Sequence, residues 1–323
     1  MPRKNKAEKR SSVFKSFRRT YGEEYVDDFQ PPRLFTHAVK TFKIIFKNWK
    51  LFGGLLLVSI IFGALFVGLM SQKNVASIRE AVDSGELGEF ATAIVVLVAT
   101  VGSGGISQAL SDSQWLILSF LFVTIWLTTV YILRQTLAKK RVTLRKSLYN
   151  AFTPLVSSFL IFLTILVEMT PIFLLIIFYS AALKTEFLNT PFYALVFLVF
   201  AILLIVLSLY LLSSSIIALA AVSAPGLYPM VALRSAHDLM FRRRTQFIIR
   251  VLFLAFVVCL NYLIIMIPVI VLDNIFKSSF EWSAEIPIIS FFLFMMTCFN
   301  FIYISAYIYL YYKEMLNNEQ TRS

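Results

Sequence analysis

Side chains that do covalent or metal chemistry are scarce in this 323-residue chain. It has two cysteines, Cys259 and Cys298, and two histidines, His37 and His237. Both cysteines fall inside apolar runs and no CxxC pair exists, so neither a redox thiol pair nor a zinc site is expected. Acids are few as well: 18 Asp and Glu stand against 30 Lys and Arg, for a net charge of +12. Outside the apolar runs there is no Ser/His/Asp set, no carboxylate pair and no metal cluster. We therefore expect no catalytic residues, no metal, no cofactor and no enzyme. Gly102-Ser103-Gly104-Gly105 lacks the Lys-Ser/Thr of a phosphate loop and the strand before it. Residues 1–30 are polar and charged, which argues against a cleaved signal peptide, so the first span is expected to direct insertion.

What is abundant is apolar length. Hydrophobic residues make up 59% of the chain, above the roughly 45–50% of soluble domains, and the mean hydropathy is +0.78. Six runs stand out: Leu51–Met70, Trp115–Ile132, Val156–Ser180, Phe192–Val222, Phe247–Leu272 and Ile288–Tyr312. Each reaches or nearly reaches the roughly 20 residues that cross a bilayer as a helix. Continuous runs of this kind do not suit a barrel, whose strands alternate. The expected class is all-α: a polytopic helical membrane protein with six spans. The spans occupy a membrane domain over residues 31–312, between a disordered basic tail (1–30) and a short tail (313–323).

Charge placement orients this domain. With six spans, 26 of the 30 basic residues fall on one side of the topology and four on the other. By the positive-inside rule both termini are cytoplasmic, in a multi-pass plasma (inner) membrane protein. The basic excess is then an orientation signal and an attraction to the anionic inner leaflet, not a nucleic-acid interface. The Ala91–Ile106 segment is apolar but short, and we expect it to be re-entrant or interfacial in an external loop.

A basic amphipathic helix is expected before each odd span. In Leu34–Trp49 the residues Phe35, Ala38, Val39, Phe42, Ile45, Phe46 and Trp49 form a stripe, with Lys40, Lys43 and Lys47 opposite. Before span three, Leu144, Leu148, Ala151, Phe152 and Leu155 face away from Arg145 and Lys146. Before span five, Met230, Leu233, His237 and Met240 follow Pro225 and Pro229, with Arg234, Arg242, Arg243 and Arg244 as the basic component. In all three a basic residue precedes a hydroxyl: Lys40-Thr41, Lys146-Ser147 and Arg234-Ser235. We read three parallel two-span repeats, each opened by an interfacial elbow helix and arranged about a pseudo-threefold axis.

Few polar groups lie inside the runs. Glu168 sits near mid-depth of span three, just before Pro171, and an intramembrane acid is a functional candidate because burying it is costly. Asn261 and Asn300 lie near mid-depth of spans five and six, where both could meet Glu168 or act as interhelical glue. Ser213–Ser215 suit close helix packing, and Arg250 suits an anchor that snorkels to the surface. Phe301, Tyr303, Tyr307, Tyr309, Tyr311 and Tyr312 read as an interfacial aromatic belt.

The segment Ala221–Arg250 (AVSAPGLYPMVALRSAHDLMFRRRTQFIIR) runs Pro, then Ala-Leu-x-Ser, then several Arg, then a span. It resembles the membrane domain attached to some bacterial glycerophosphoryl diester phosphodiesterases, and related stand-alone six-span proteins of unassigned function. The resemblance spans residues 31–312 in architecture and this one segment in motif. The soluble phosphodiesterase barrel has no counterpart here, so the resemblance implies a bacterial plasma-membrane protein with a lipid or envelope connection and no carried-over activity. The Pro-x-Asp/Glu-x-x-Lys/Arg signature of mitochondrial carriers does not occur at the ends of the odd spans. The functional expectation is a non-enzymatic protein whose partners are membrane lipids or another protein. A transporter coupled through Glu168 is the alternative.

Overall fold

A computed structural model describes residues 32–66, 112–185, 190–223, 226–241, 243–279 and 288–320. The basic tail 1–30, the 91–106 segment, Pro225 and Arg242 lie outside the described residues. Among the described residues the chain is helical throughout, with no strand. The elements are α1 Leu34–Lys47, α2 Trp49–Phe66, α3 Asp112–Leu137, α4 Leu144–Ala151 and α5 Leu155–Glu168. They continue as α6 Thr170–Lys184, α7 Pro191–Val222, α8 Pro229–Met240, α9 Arg244–Ser279 and α10 Ile288–Gln320. Six helical stretches are long and apolar enough to cross a membrane: α2, α3, α5 with α6, α7, α9 and α10.

The third stretch is not one smooth helix. Pro171 has no N–H and its ring crowds the carbonyl of Val167, and the helix breaks at Met169, between α5 and α6. The carbonyl that Pro171 leaves without its helical donor is recovered locally, because the Thr170 hydroxyl donates to Val167 O at 2.5 Å. Glu168 is the last residue before this break.

Helix α10 is central. It packs against α1, α2, α3, α7 and α9, and Tyr303, Ser305 and Ala306 on it are fully enclosed. Elsewhere the long helices are sparsely covered. On α7 the residues Leu195, Leu198, Ile202 and Leu203 are exposed, whereas Leu212, Ile217, Ala218 and Ala220–Val222 toward its C-terminal end are buried. A helix apolar on every side suits such partial coverage, since lipid solvates what protein does not.

The short helices sit on the long ones in a regular way. Helix α4 packs on α3 and touches α2, and α8 packs on α7 and touches α5. Helix α1 packs on α10 and touches α2 and α9, so the first elbow docks on the last span. The paired spans α2 with α3, α5 and α6 with α7, and α9 with α10 also pack together. Among the described residues, no helix-on-helix packing of that extent joins α3 to α5 or α7.

The docked faces coincide only in part with the expected apolar stripes, sharing Ala38, Ile45, Ala151 and Met240. On α1 the buried face is His37, Ala38, Thr41 and Ile45, while Phe35 and Phe46, and Trp49 at the start of α2, are exposed. On α4 it is Ser147 and Ala151. On α8 it is Ala232, Ala236 and Met240, while Met230 and His237 are exposed. Small residues let helix backbones approach closely, and lipid accepts the bulky apolar face that is left. The hydroxyls of Thr41 and Ser147 are buried and return to the carbonyls of His37 and Thr143, at 2.9 and 3.0 Å. Ser235, aligned with them in the sequence reading, is exposed, and Ala236 takes the buried place.

Helices α2 and α10 approach closely at Gly63, where an added Cβ would overlap the ring of Phe294. Phe294 is itself buried and cannot easily yield. Gly63→Ala is expected to destabilise the fold by about 1–3 kcal/mol, the usual penalty of overpacking. Thermal unfolding of the reconstituted protein measures it; an unchanged melting temperature would contradict this contact.

Candidate functional site

Glu168 meets helix α7. Its Oε1 accepts a hydrogen bond from the Ser215 hydroxyl at 2.7 Å, and its backbone carbonyl accepts one from Ser208 at 3.1 Å. The carboxylate is half-buried, and its second oxygen, Oε2, is enclosed without a hydrogen-bond partner. Two serines at helical spacing on α7 thus tie down both the backbone and the side chain at the break that Pro171 creates.

Asn261 and Asn300 form a separate pair. The Asn261 amide donates to Asn300 Oδ1 at 3.1 Å, bridging α9 and α10. Beside it the hydroxyls of Tyr262 and Thr297 lie 2.7 Å apart, and Thr297 also donates to Leu293 O at 2.9 Å. Tyr262 belongs to an apolar cluster with Met266, Leu293 and Met296. Glu168 is bonded to neither asparagine. The three residues singled out inside the spans therefore occupy two places, one at the α5–α7 contact and one at the α9–α10 contact.

A third polar assembly joins α1 to α10 and was not anticipated. His37 is completely buried. Its Nε2 lies 3.2 Å from the Tyr307 carbonyl and its Nδ1 lies 3.3 Å from Glu314 Oε2. Lys40 Nζ is 2.6 Å from the other Glu314 oxygen. The imidazole sits edge-on to Tyr307, centroids 4.5 Å apart, and Phe42 stacks on Tyr303 at 4.3 Å. From α9, Arg250 donates to the carbonyl of Pro32 at 2.5 Å, with its guanidinium 4.7 Å from the centre of the Tyr311 ring. Arg250 is buried, so it clasps the start of α1 rather than snorkelling. Glu314 escaped the sequence reading because it lies beyond the last apolar run and its partners are at the other end of the chain.

The basic residues assigned to the membrane surface divide into groups. Lys43, Lys47, Arg145, Lys146 and Arg234 are exposed, and Lys40 is exposed while paired with Glu314. Arg243 is an exception, being buried at 1% exposure. Arg244 packs its guanidinium 4.1 Å over the Tyr210 ring and lies 2.8 Å from His237 Nδ1. The tyrosines read as an interfacial belt are mostly interior, with Tyr303, Tyr307, Tyr309 and Tyr311 all buried. They line α10, the helix with neighbours on nearly every side, so their alternation reflects packing rather than a water boundary. Among the described residues no three His, Cys, Asp or Glu side chains converge as a metal ion would require.

Six spans, interior polar pairs and docked elbow helices have the build of a helical multi-pass membrane protein. Beyond that class, the chain matches no family model, no curated protein and no solved structure.

Removing Glu314 takes partners from both His37 and Lys40. Glu314→Ala is expected to destabilise by about 1–3 kcal/mol, because the buried imidazole is left facing apolar surroundings. Lys40→Ala removes only an exposed, solvent-screened pair and should cost less than about 1 kcal/mol. Thermal unfolding of both variants checks the ordering; equal effects would contradict the assigned role of His37.

Proposed function

We propose that this chain is a non-enzymatic protein of the bacterial plasma membrane that organises anionic lipid at the cytoplasmic surface. A protein partner held on the same surface is the other occupant consistent with this role. Both termini are cytoplasmic in this reading, following the placement of the basic residues. The supporting observation is how α1 is held. One face is held on α10 through His37, the Ala38 carbonyl and Phe42, so the helix does not swing freely. That leaves Phe35, Phe46 and Trp49 exposed beside Lys40, Lys43 and Lys47. Exposed aromatics next to lysines are the composition that seats a helix at an anionic headgroup layer. The arrangement as three parallel units is part of the proposal. Its support is that each elbow rests on the second span of the preceding unit, α1 completing the circuit on α10.

The test is lateral enrichment of headgroup-labelled phosphatidylglycerol around the protein in mixed vesicles, read by energy transfer. With about 1 kcal/mol of attraction per basic residue, Lys40→Glu, Lys43→Glu and Lys47→Glu together are expected to abolish the enrichment. Unchanged enrichment would refute the role of α1.

A second reading makes the chain a transporter in which Glu168 is the coupling group. Its support is the enclosed, unpartnered Glu168 Oε2 at a helix break, a setting that transport sites share. Under that reading Glu168→Gln would abolish pH-dependent solute uptake while the protein still folds. Uptake equal to wild type, or none in either protein, would dismiss it.

A further inference from the structure

A pocket of about 230 Å³ lies between the C-terminal part of α3, the end of α4 with its connection to α5, and Ser223 after α7. Tyr131, Arg134, Gln135, Asn150, Thr153 and Ser223 contribute its polar lining. Pockets for drug-sized ligands run to about 300–1,000 Å³, so this one suits a single small polar group. It lies at the C-terminal end of α3, where the apolar stretch gives way to charge, and at the start of α5.

Its chemistry is one-sided. Arg134 is half-buried, and its Nη1 donates to the Ser223 carbonyl at 2.9 Å. The guanidinium also lies 5.4 Å from the centre of the Tyr131 ring. These contacts hold the cation in place yet use one of its five N–H donors. Asn150 donates from Nδ2 to the Tyr131 hydroxyl at 3.0 Å, which leaves the phenol hydrogen to donate elsewhere. No Asp or Glu lines the pocket. A fixed guanidinium fork with neutral donors around it and no carboxylate is an environment for phosphate. Lys139, Lys140, Arg141, Arg145 and Lys146, all exposed on α4 and the connection leading to it, draw anions toward the mouth.

The surroundings favour a phosphate that carries acyl chains. Val156, Phe159 and Leu160, at the start of α5, are exposed apolar side chains beyond the pocket. Their exposure leaves that face of α5 open to acyl chains.

We propose that this pocket binds the headgroup phosphate of one anionic phospholipid, with Arg134 pairing the phosphate and Tyr131, Gln135 and Asn150 supplying neutral hydrogen bonds. The acyl chains run along α5. The proposal rests on the lipid-organising reading and adds a discrete, one-per-chain site to the diffuse attraction of α1. A free phosphate has the same headgroup chemistry and is the competing source.

The test uses the full-length protein in phosphatidylcholine nanodiscs containing a minority of phosphatidylglycerol, followed by native mass spectrometry with graded activation. One phosphatidylglycerol should stay bound per chain after the other lipids leave. Arg134→Gln should reduce that retention about tenfold or more, the loss of at least one charge-assisted contact. Gln135→Glu should do the same by placing a carboxylate in the pocket, while leaving the Arg134–Ser223 and Asn150–Tyr131 bonds intact. Thermal unfolding of each variant separates loss of the site from loss of the fold. Retention equal in wild type and in folded Gln135→Glu overturns the proposal. Arg134-dependent binding of inorganic phosphate without preference for phosphatidylglycerol overturns the lipid assignment. The α1 triple-lysine variant separates the two readings. If it keeps both the enrichment and the bound lipid, the pocket stands and the role of α1 falls; if it loses the enrichment while the wild-type chain retains no tightly bound lipid, the pocket alone falls.

Discussion

Apolar surface gains nothing by leaving lipid, so inside a bilayer the faces that meet are chosen by small side chains and by polar groups that need partners. Most of this architecture follows from that constraint. The long helices are apolar on every side, and hydrophobicity alone would let them pack in many rotations. The positions buried on the elbows are mostly small or polar, namely His37, Ala38, Thr41, Ser147, Ala151, Ala232 and Ala236, with Ile45 and Met240 the larger apolar members. The pairs that cross between helices are Glu168 with Ser215, Asn261 with Asn300, and His37 with Glu314. Each lends a direction to a contact that would otherwise be slippery.

The same constraint explains why the bundle is unevenly covered. Helix α10 is enclosed over much of its length, and the C-terminal part of α7 is enclosed by α8 and its neighbours. The N-terminal part of α7 has exposed apolar side chains at most positions. The elbows therefore lie against the best-packed parts of the molecule. Helix α1 is fixed there by a buried imidazole, a carboxylate and the Arg250 clasp, with its aromatic and lysine faces turned outward. A rigid, charged, aromatic-edged surface is suited to holding lipid in register. The break at Met169 places Glu168 where its backbone and side chain both bond to serines of α7.

The spans could be read in advance because a 20-residue apolar run has few alternatives to a membrane helix. The elbow helices were legible too, since Lys40, Lys43 and Lys47 recur at helical spacing opposite apolar residues. Their docked faces were not legible, because in lipid an apolar face is not automatically an inner one, and Met230 is exposed while Ala232 is buried. Glu168, Asn261 and Asn300 were recognisable from the cost of placing polar groups in hydrocarbon. Their sorting into two separate contacts depends on which helices adjoin, which spacing does not reveal. The His37–Glu314 assembly was hidden by its distance along the chain. Arg134 was hidden for a different reason: it looked like one more cation at the end of a span.

The central claim is that the elbow-bearing surface holds anionic lipid. The most direct measurement extracts the full-length protein from its own membrane into polymer nanodiscs and compares the co-extracted lipids with the bulk membrane. The account predicts that anionic phospholipids are enriched around the protein and remain through further purification. A lipid composition equal to bulk, together with a retained polar solute that disappears in Glu168→Gln, would contradict it and establish the transporter instead.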